Sequence, residues 1–256
     1  MIEITALKAF DDNYIWLIKQ IGNSHCVVVD PGDEEPVIEY LEQHNLTLEA
    51  ILITHKHPDH TGGVEDLVAV TGASVYGPAN DGIKLPLIGL SELDQVQLPK
   101  SGLSFDVIDV PGHTLGHIAY FNGQHLFCGD TLFVAGCGRV FEGTMEQMHQ
   151  SLSKLAQLPD ETLIYCAHEY TQANLAFALA VEPNNQRLQE FTDQAKQFRK
   201  EQLPTVPSRI GIEKEINPFL RCDHKNVIKS ASMQLNHQAN DIIEVFSAIR
   251  HWKNNF

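Results

Sequence analysis

Three histidines and an aspartate fall within six residues, in Thr54-His55-Lys56-His57-Pro58-Asp59-His60. Imidazole nitrogens and a carboxylate oxygen so grouped are ligands for zinc, and also for iron or manganese. The segment follows residues 50–54, an apolar run that reads as a buried strand. Alternate side chains of an extended chain share a face, so His55 and His57 can point at one ion. Pro58 then turns the chain, and Asp59 and His60 can face a second ion nearby. Two ions can lower the pKa of a shared water from about 15.7 to near neutrality. Such a site attacks a carbonyl with hydroxide and needs no serine or cysteine nucleophile.

Three further candidates each stand just past the end of an expected strand. They are His113 in Val110-Pro111-Gly112-His113-Thr114, Asp130 in Phe127-Cys128-Gly129-Asp130-Thr131, and His168 in Tyr165-Cys166-Ala167-His168-Glu169. Strand ends on one rim of a sheet sandwich can converge on one site. With the first four residues they make seven ligands, enough for two ions that share Asp130. Asp30, which ends the run Cys-Val-Val-Val-Asp, can orient a ligand histidine or cap a turn. His117 reads as a structural hydrogen-bonding residue. Cys128 and Cys137 read as buried structural thiols, because the nitrogen and oxygen donors already complete a pair of ions.

The elements that must carry these residues follow from periodicity. Residues 2–7, 13–19, 26–30, 50–54, 74–76, 105–110, 118–121, 125–128 and 162–166 read as strands. Asn122-Gly123 between two of them is a hairpin signal. Residues 36–44, 64–70 and 145–155 have helical spacing. Beyond His168 the chain changes character, with helices expected over 171–181, 185–202 and 241–252. The expected division is therefore 1–165, a mixed catalytic domain, and 166–256, a mainly helical substrate-binding domain.

Composition narrows the classes. The chain has 256 residues, 43% hydrophobic and 20% charged, so it can bury a core and is not disordered. Its net charge of −15 argues against a nucleic-acid partner. The charge is uneven. Residues 1–165 hold seven basic and 23 acidic side chains, whereas residues 166–256 hold 11 and ten. No apolar run approaches the roughly 18–20 residues of a membrane span, and the N-terminus does not read as a secretory signal. The cysteines number five, without a CxxC pair, and read as reduced thiols in the cytoplasm. An acidic surface suggests a monomer.

The spaced ligands resemble the metallo-β-lactamase superfamily. That resemblance implies an α+β fold, a four-layer αββα sandwich with two metals at one edge. It implies one ion on His55, His57 and His113, a second on Asp59, His60 and His168, and Asp130 between them. The segments THKHPDHTGG, PGHTLGH, GDTLFVAGCG and AHEY, and later NPFLR followed by Lys225, resemble glyoxalase II, the hydroxyacylglutathione hydrolases. This covers the whole chain. It implies hydrolysis of the thioester S-D-lactoylglutathione, and of other S-2-hydroxyacylglutathiones, to the 2-hydroxy acid and glutathione, the second step of methylglyoxal detoxification. Asp59 and Asp130 would serve catalysis, and zinc would be the usual metal.

The same resemblance assigns the glutathione carboxylates to Arg221 and Lys225, and the peptide part to Tyr170 and the backbone around Arg139. Arg139 stands where relatives often have lysine. Phe141 stands where some have a tyrosine that touches glutathione. Arg suits a planar carboxylate and Lys acts as a point charge, so the pair also makes chemical sense alone. Lys225 and Lys229, four apart, can share a helix face. Two other reactions fit the superfamily core: an iron-dependent persulfide dioxygenase, and a phosphodiesterase or nuclease. The complete C-terminal part with NPFLR argues against the first, and the acidic charge against the second.

Overall fold

The structure is a computed structural model that describes all 256 residues. The chain forms two compact units. One comprises Met1–Val110 and Thr114–Gly129, the other Pro111–His113 and Asp130–Phe256.

The first unit opens with the hairpin β1 (Ile2–Ala9) and β2 (Asn13–Gln20), then β3 (His25–Val29), α1 (Glu35–His44) and β4 (Thr47–Leu52). The short α2 (Pro58–Thr61) and α3 (Val64–Thr71) lead to β5 (Ser74–Pro78) and β6 (Ile88–Leu90). These six strands lie in chain order in one sheet. Neighbours β1, β2 and β3 pair antiparallel, while β3 to β6 pair parallel. A parallel pair needs a crossover, which α1 and then α2–α3 supply. Val37 and Leu41, one turn apart on α1, are buried in a core with Leu17, Val28, Ile51 and Leu67.

A second, antiparallel group follows: β7 (Gln95–Leu98), β8 (Leu103–Asp109), β9 (Ile118–Phe121) and β10 (His125–Gly129). Its β8 alternates buried and exposed residues, as a strand with one wet face must. The Asn122-Gly123 turn is present, with Gly123 at φ +89° and Asn122 Oδ1 accepting from His125 N at 2.8 Å. The fully buried Tyr120 on β9 donates its hydroxyl to Ile53 O at 2.8 Å, tying this group to the first sheet.

The second unit contains the two-residue strands β11 (Leu132–Phe133) and β12 (Gly136–Cys137), then α4 (Met145–Leu155), β13 (Leu163–Cys166), α5 (Thr171–Val181) and α6 (Gln186–Lys200). It closes with β14 (Ser208–Arg209), α7 (Ile210–Ile216), a single 3-10 turn (Pro218–Leu220), α8 (Lys225–Leu235) and α9 (Ile242–Asn254). Thr144 and Gln147 cap α4 reciprocally. Pro111–His113 joins this unit through hydrogen bonds. Ser151 Oγ donates to Pro111 O at 2.7 Å, and Gly143 N to Gly112 O at 3.1 Å. Leu175, Ala178, Leu188, Ala195 and Ile216 form an apolar cluster. Phe177 and Phe219 stack, and Trp252 meets Phe177 edge-on.

The expected strands and helices are all present, with two informative shifts. The strand expected over 50–54 runs from Thr47 and stops at Leu52, because Asp30 Oδ1 takes the Thr54 N–H at 2.7 Å and ends the ladder there. Between His168 and the C-terminus there are two further helices, α7 and α8. Mixed strands and helices followed by a mainly helical C-terminal part, as the motifs lead one to expect, are what the chain forms.

Candidate metal centre

In the first unit, four of the seven expected ligands sit on the loop leaving β4 and on α2. The buried Asp30, at φ +53°, is the post of this arrangement. Its Oδ1 accepts from Thr54 N, and its Oδ2 accepts from Thr54 Oγ1 at 2.7 Å and lies 3.0 Å from His60 Nδ1. His60 therefore carries its proton on Nδ1 and presents Nε2 as a lone pair. Thr54 Oγ1, having donated to Asp30, accepts from His55 Nδ1 at 3.1 Å. That leaves His55 Nε2 as the second lone pair. Fixing a ring through its far nitrogen is how proteins orient metal-binding histidines. His55 also stacks on the buried His117, centroids 4.5 Å apart, and His117 Nδ1 lies 3.1 Å from Ile118 O.

The donor atoms are spaced as one small ion requires. Two donors bound about 2.0–2.1 Å from a tetrahedral ion stand about 3.3 Å apart. His55 Nε2 and His57 Nδ1 are 3.0 Å apart, and His60 Nε2 and Asp59 Oδ2 are 3.4 Å apart. Asp30, His55 and His60 also form a group of donors within ligating reach of one another. Asp59 leaves 40% of its side chain in solvent, and Asn13 Nδ2 donates to its Oδ2 at 3.1 Å.

The second unit carries the other three ligands, with the same spacing. Asp130 stands between two imidazoles. Its Oδ2 is 3.4 Å from His113 Nε2, and its Oδ1 is 3.3 Å from His168 Nε2. One carboxylate whose two oxygens each face a different ring is arranged to serve two ions. His113 is oriented as His60 is, with Nδ1 donating to Arg139 O at 2.8 Å. Gly138 must be glycine, because an added Cβ would lie 1.8 Å from Asp130 O.

The loop after Asp130 is held by polar side chains from the helices. Ala135 N donates to Glu213 Oε2, Asn174 Nδ2 to Val134 O, Asn217 Nδ2 to Gly136 O and Phe133 O, and Arg250 Nη1 to Cys137 O, all between 2.7 and 3.2 Å. Buried Glu213 receives two more hydrogen bonds, from Ser208 Oγ and Asn217 Nδ2, yet no cation. Burial outweighs these donors and pushes its carboxyl up to about 7. Asn217 thus gives NPFLR a job in positioning the Asp130 loop.

The expected substrate residues all lie in the second unit. Tyr170 stacks flat on His168, centroids 4.7 Å apart, and Phe133 meets both rings edge-on. Phe141 is exposed and edge-on to His113, with the Arg139 guanidinium 5.4 Å from its ring. Lys225 is exposed, and it and Lys229 line one cavity of about 470 Å³ along α8. Arg221 is committed. Its Nε and Nη2 donate to buried Glu182 at 2.7 and 3.1 Å, and its Nη1 to Lys214 O.

Asn13, Asp81 and Glu182 are site-supporting residues that sequence reasoning missed. Asn13 follows two aspartates in a turn, Asp81 precedes a glycine, and Glu182 precedes a proline. All three read as loop polarity. All five cysteines are unpaired by disulfides and buried, Cys128 and Cys137 included. Burial pushes the Cys26 thiol up to about 12 and raises that of Cys137.

Comparison with known proteins agrees with this chemistry. The family model described as metallo-beta-lactamase superfamily matches residues 10–168, and that described as hydroxyacylglutathione hydrolase C-terminus matches residues 169–256. A hydroxyacylglutathione hydrolase of Nitrosomonas eutropha is 49% identical, and one of Vibrio campbellii 52% identical, each over 100% of both chains. Among solved structures, ETHE1 from Myxococcus xanthus superposes with a TM-score of 0.67 at 27% identity, covering 99% of each chain. TTHA1623, solved in a di-iron-bound form, superposes at 0.59 with 25% identity, over 85% of this chain and 100% of its own. With His and Asp groups that could hold metal ions and a likeness to these hydrolases that runs end to end, the chain belongs to the hydroxyacylglutathione hydrolase family, metal-dependent enzymes of the metallo-β-lactamase superfamily.

Proposed function

We propose that this enzyme hydrolyses S-D-lactoylglutathione, and other S-2-hydroxyacylglutathiones, to the 2-hydroxy acid and glutathione. The observation that carries this reading is the full-length likeness to hydroxyacylglutathione hydrolases, at 49–52% identity. We further propose a binuclear centre. His55, His57 and His113 would hold one ion, and Asp59, His60 and His168 the other, with Asp130 shared. Zinc suits these donors, as do iron and manganese. The donor spacing near 3.3 Å within each unit supports the assignment.

Such ions supply an acidified water and a Lewis acid for the thioester carbonyl. The chain's own residues do the rest. Asp30, Thr54 and the Arg139 carbonyl hold protons on the far nitrogens of His60, His55 and His113, so each ring keeps its ligating tautomer. Asp59, held by Asn13 and open to solvent, orients the attacking water through its carboxylate. Tyr170, the Arg139 backbone and Phe141 receive the peptide part of glutathione, and Lys225 and Arg221 its carboxylates. Arg221 brings to that task two of its five N–H groups, three being already engaged. We assign chemistry to residues 1–165 and substrate binding to residues 166–256. No helix is long and apolar enough to cross a membrane. Five free thiols and the net charge of −15 support a cytoplasmic monomer with no nucleic-acid partner.

Purified protein mixed with S-D-lactoylglutathione, with and without a chelator, tests the proposal through loss of thioester absorbance. Rapid, chelator-sensitive hydrolysis is the expected result. No hydrolysis by protein shown to hold two metals would overturn the substrate, and oxygen uptake on glutathione persulfide would then be assayed.

A further inference from the structure

The loop between β5 and β6 carries a buried aspartate that touches neither a candidate ligand side chain nor the expected substrate residues. Asp81 is 3% exposed. Its two carboxylate oxygens accept from two backbone amides on separate segments. Oδ2 accepts from Lys56 N at 2.7 Å, and Oδ1 from Gly116 N at 2.9 Å. Lys56 is the residue between His55 and His57. Gly116 immediately precedes His117, whose ring stacks on His55. Further in, the same two segments are joined by Ile118 N donating to Thr54 O at 3.0 Å. Asp81 is thus the outer clasp of a pair of segments whose inner clasp is a backbone hydrogen bond.

The close approach is built in. A Cβ on Gly116 would lie 2.6 Å from Asp81 N and 2.7 Å from Asn80 C. Only glycine lets the two backbones meet at this distance. A carboxylate accepting two N–H groups makes charge-assisted bonds, about twice as strong as neutral ones. The position of the bond matters as much as its strength. The Lys56 amide lies between the two Cα atoms that carry His55 and His57, so anchoring it limits how far either imidazole can swing. The two rings meet at 3.0 Å, His55 Nε2 to His57 Nδ1, so a small movement of the backbone between them changes the spacing of the pair.

We propose that Asp81 is a positioning residue that sets the His55–His57 ligand pair by clasping the Lys56 and Gly116 amides. This rests on the reading of His55 and His57 as metal ligands. Loss of a group that orients ligands costs about 10–100-fold in metal affinity. Asp81→Ala is expected to weaken cobalt binding to the apo chain by that factor, and to alter the absorption spectrum of the cobalt form. Asp81→Asn keeps one acceptor oxygen, so its loss should fall between wild type and Ala. Amide exchange at Lys56 and Gly116 should quicken in the apo variants while that of Val28 and Ile51 in the core stays put. For S-D-lactoylglutathione, kcat should fall with KM within about twofold, since no substrate contact is touched.

Unchanged cobalt affinity and spectrum in Asp81→Ala, with faster exchange at the two amides, would overturn the proposal and leave Asp81 a loop staple. If Asp81→Ala does not fold, Asp81→Asn and Gly116→Ala decide the same question. A wild-type chain that binds cobalt but leaves the thioester intact refutes the substrate reading, while the affinity comparison still decides Asp81. A wild-type chain that binds no cobalt overturns both.

Discussion

Replacing Arg221 separates substrate binding from folding. Glu182 has 1% of its side chain in solvent, and Arg221 has 18%. The guanidinium meets both carboxylate oxygens, at 2.7 and 3.1 Å, and His224 Nδ1 stands 3.2 Å from one of them. Arg221→Ala leaves a carboxylate in a dry site. Removing one partner of a buried pair costs about 3–5 kcal/mol. His224 remains beside Glu182, which places the expected loss near the lower end, about 3 kcal/mol. Unfolding entropy of about 2.1 cal/mol/K per residue makes this a fall of about 6 °C in Tm for a chain of this length. Calorimetry checks it. Adding Glu182→Leu should recover most of the loss, since removing both charges deletes the desolvation cost along with the attraction. The KM for S-D-lactoylglutathione in that double variant, once stability is restored, reports any contact of Arg221 with glutathione. A single variant that melts within about 1 °C of wild type would refute the reasoning, and would leave Arg221 to the substrate alone.

Asp130→Ala should lose bound metal and activity together, measured by elemental analysis and thioester hydrolysis, and retention of two metals per chain would refute its shared role. Asn13→Ala should lower kcat several-fold and weaken metal binding with it, read by thioester hydrolysis and elemental analysis, because Asn13 donates to Asp59 Oδ2, the oxygen that faces His60 Nε2. Glu213, raised from an ordinary 4.5 to about 7 by burial, holds a proton in the folded state that it releases when unfolded. Stability should therefore fall as pH rises from about 4.5 to 7 and level off beyond, by on the order of 3 kcal/mol. In Glu213→Gln, which keeps an acceptor for Ala135 N, this slope should flatten in Tm measured against pH, and an unchanged slope would assign it elsewhere.

The candidate ligands were legible in the sequence, and so was Asp30 at its strand end, whereas Asn13, Asp81, Glu182 and Glu213 were not. His55, His57, Asp59 and His60 announce themselves because ligation needs particular atoms at short spacing, and few other uses of the chain demand that combination. His113, Asp130 and His168 were found by their place after strand ends, which is again a local feature. The hairpin at Asn122-Gly123 and the helices with an apolar stripe were legible for the same reason. Asp81 accepts from residues 25 positions before it and 35 after it, and Glu213 reaches back 78 positions to Ala135. No window of sequence contains such a pair. A lone buried carboxylate has the same letter as a solvated one, and its surroundings alone separate them.

The same distinction explains where the second compact unit begins. Composition changes after His168, so a boundary near residue 165 follows from charge and periodicity. The compact unit that holds the C-terminal helices also takes in Pro111–His113 and the chain from Asp130 on, and the loop from Thr131 to Gly138 shows why. Its strands are two residues each, and the loop is buried, so that short ladder leaves backbone groups that need partners from elsewhere. Buried backbone groups must find partners. Here the partners are Asn174 on α5, Glu213 on α7, Asn217 at its end and Arg250 on α9. The residue facing both His113 and His168 is thereby seated on a platform of helices from the C-terminal part. Those helices are then more than a binding surface for glutathione. Truncating the chain after His168 would remove all four partners, and the loop that carries Asp130 would lose its conformation along with the substrate site.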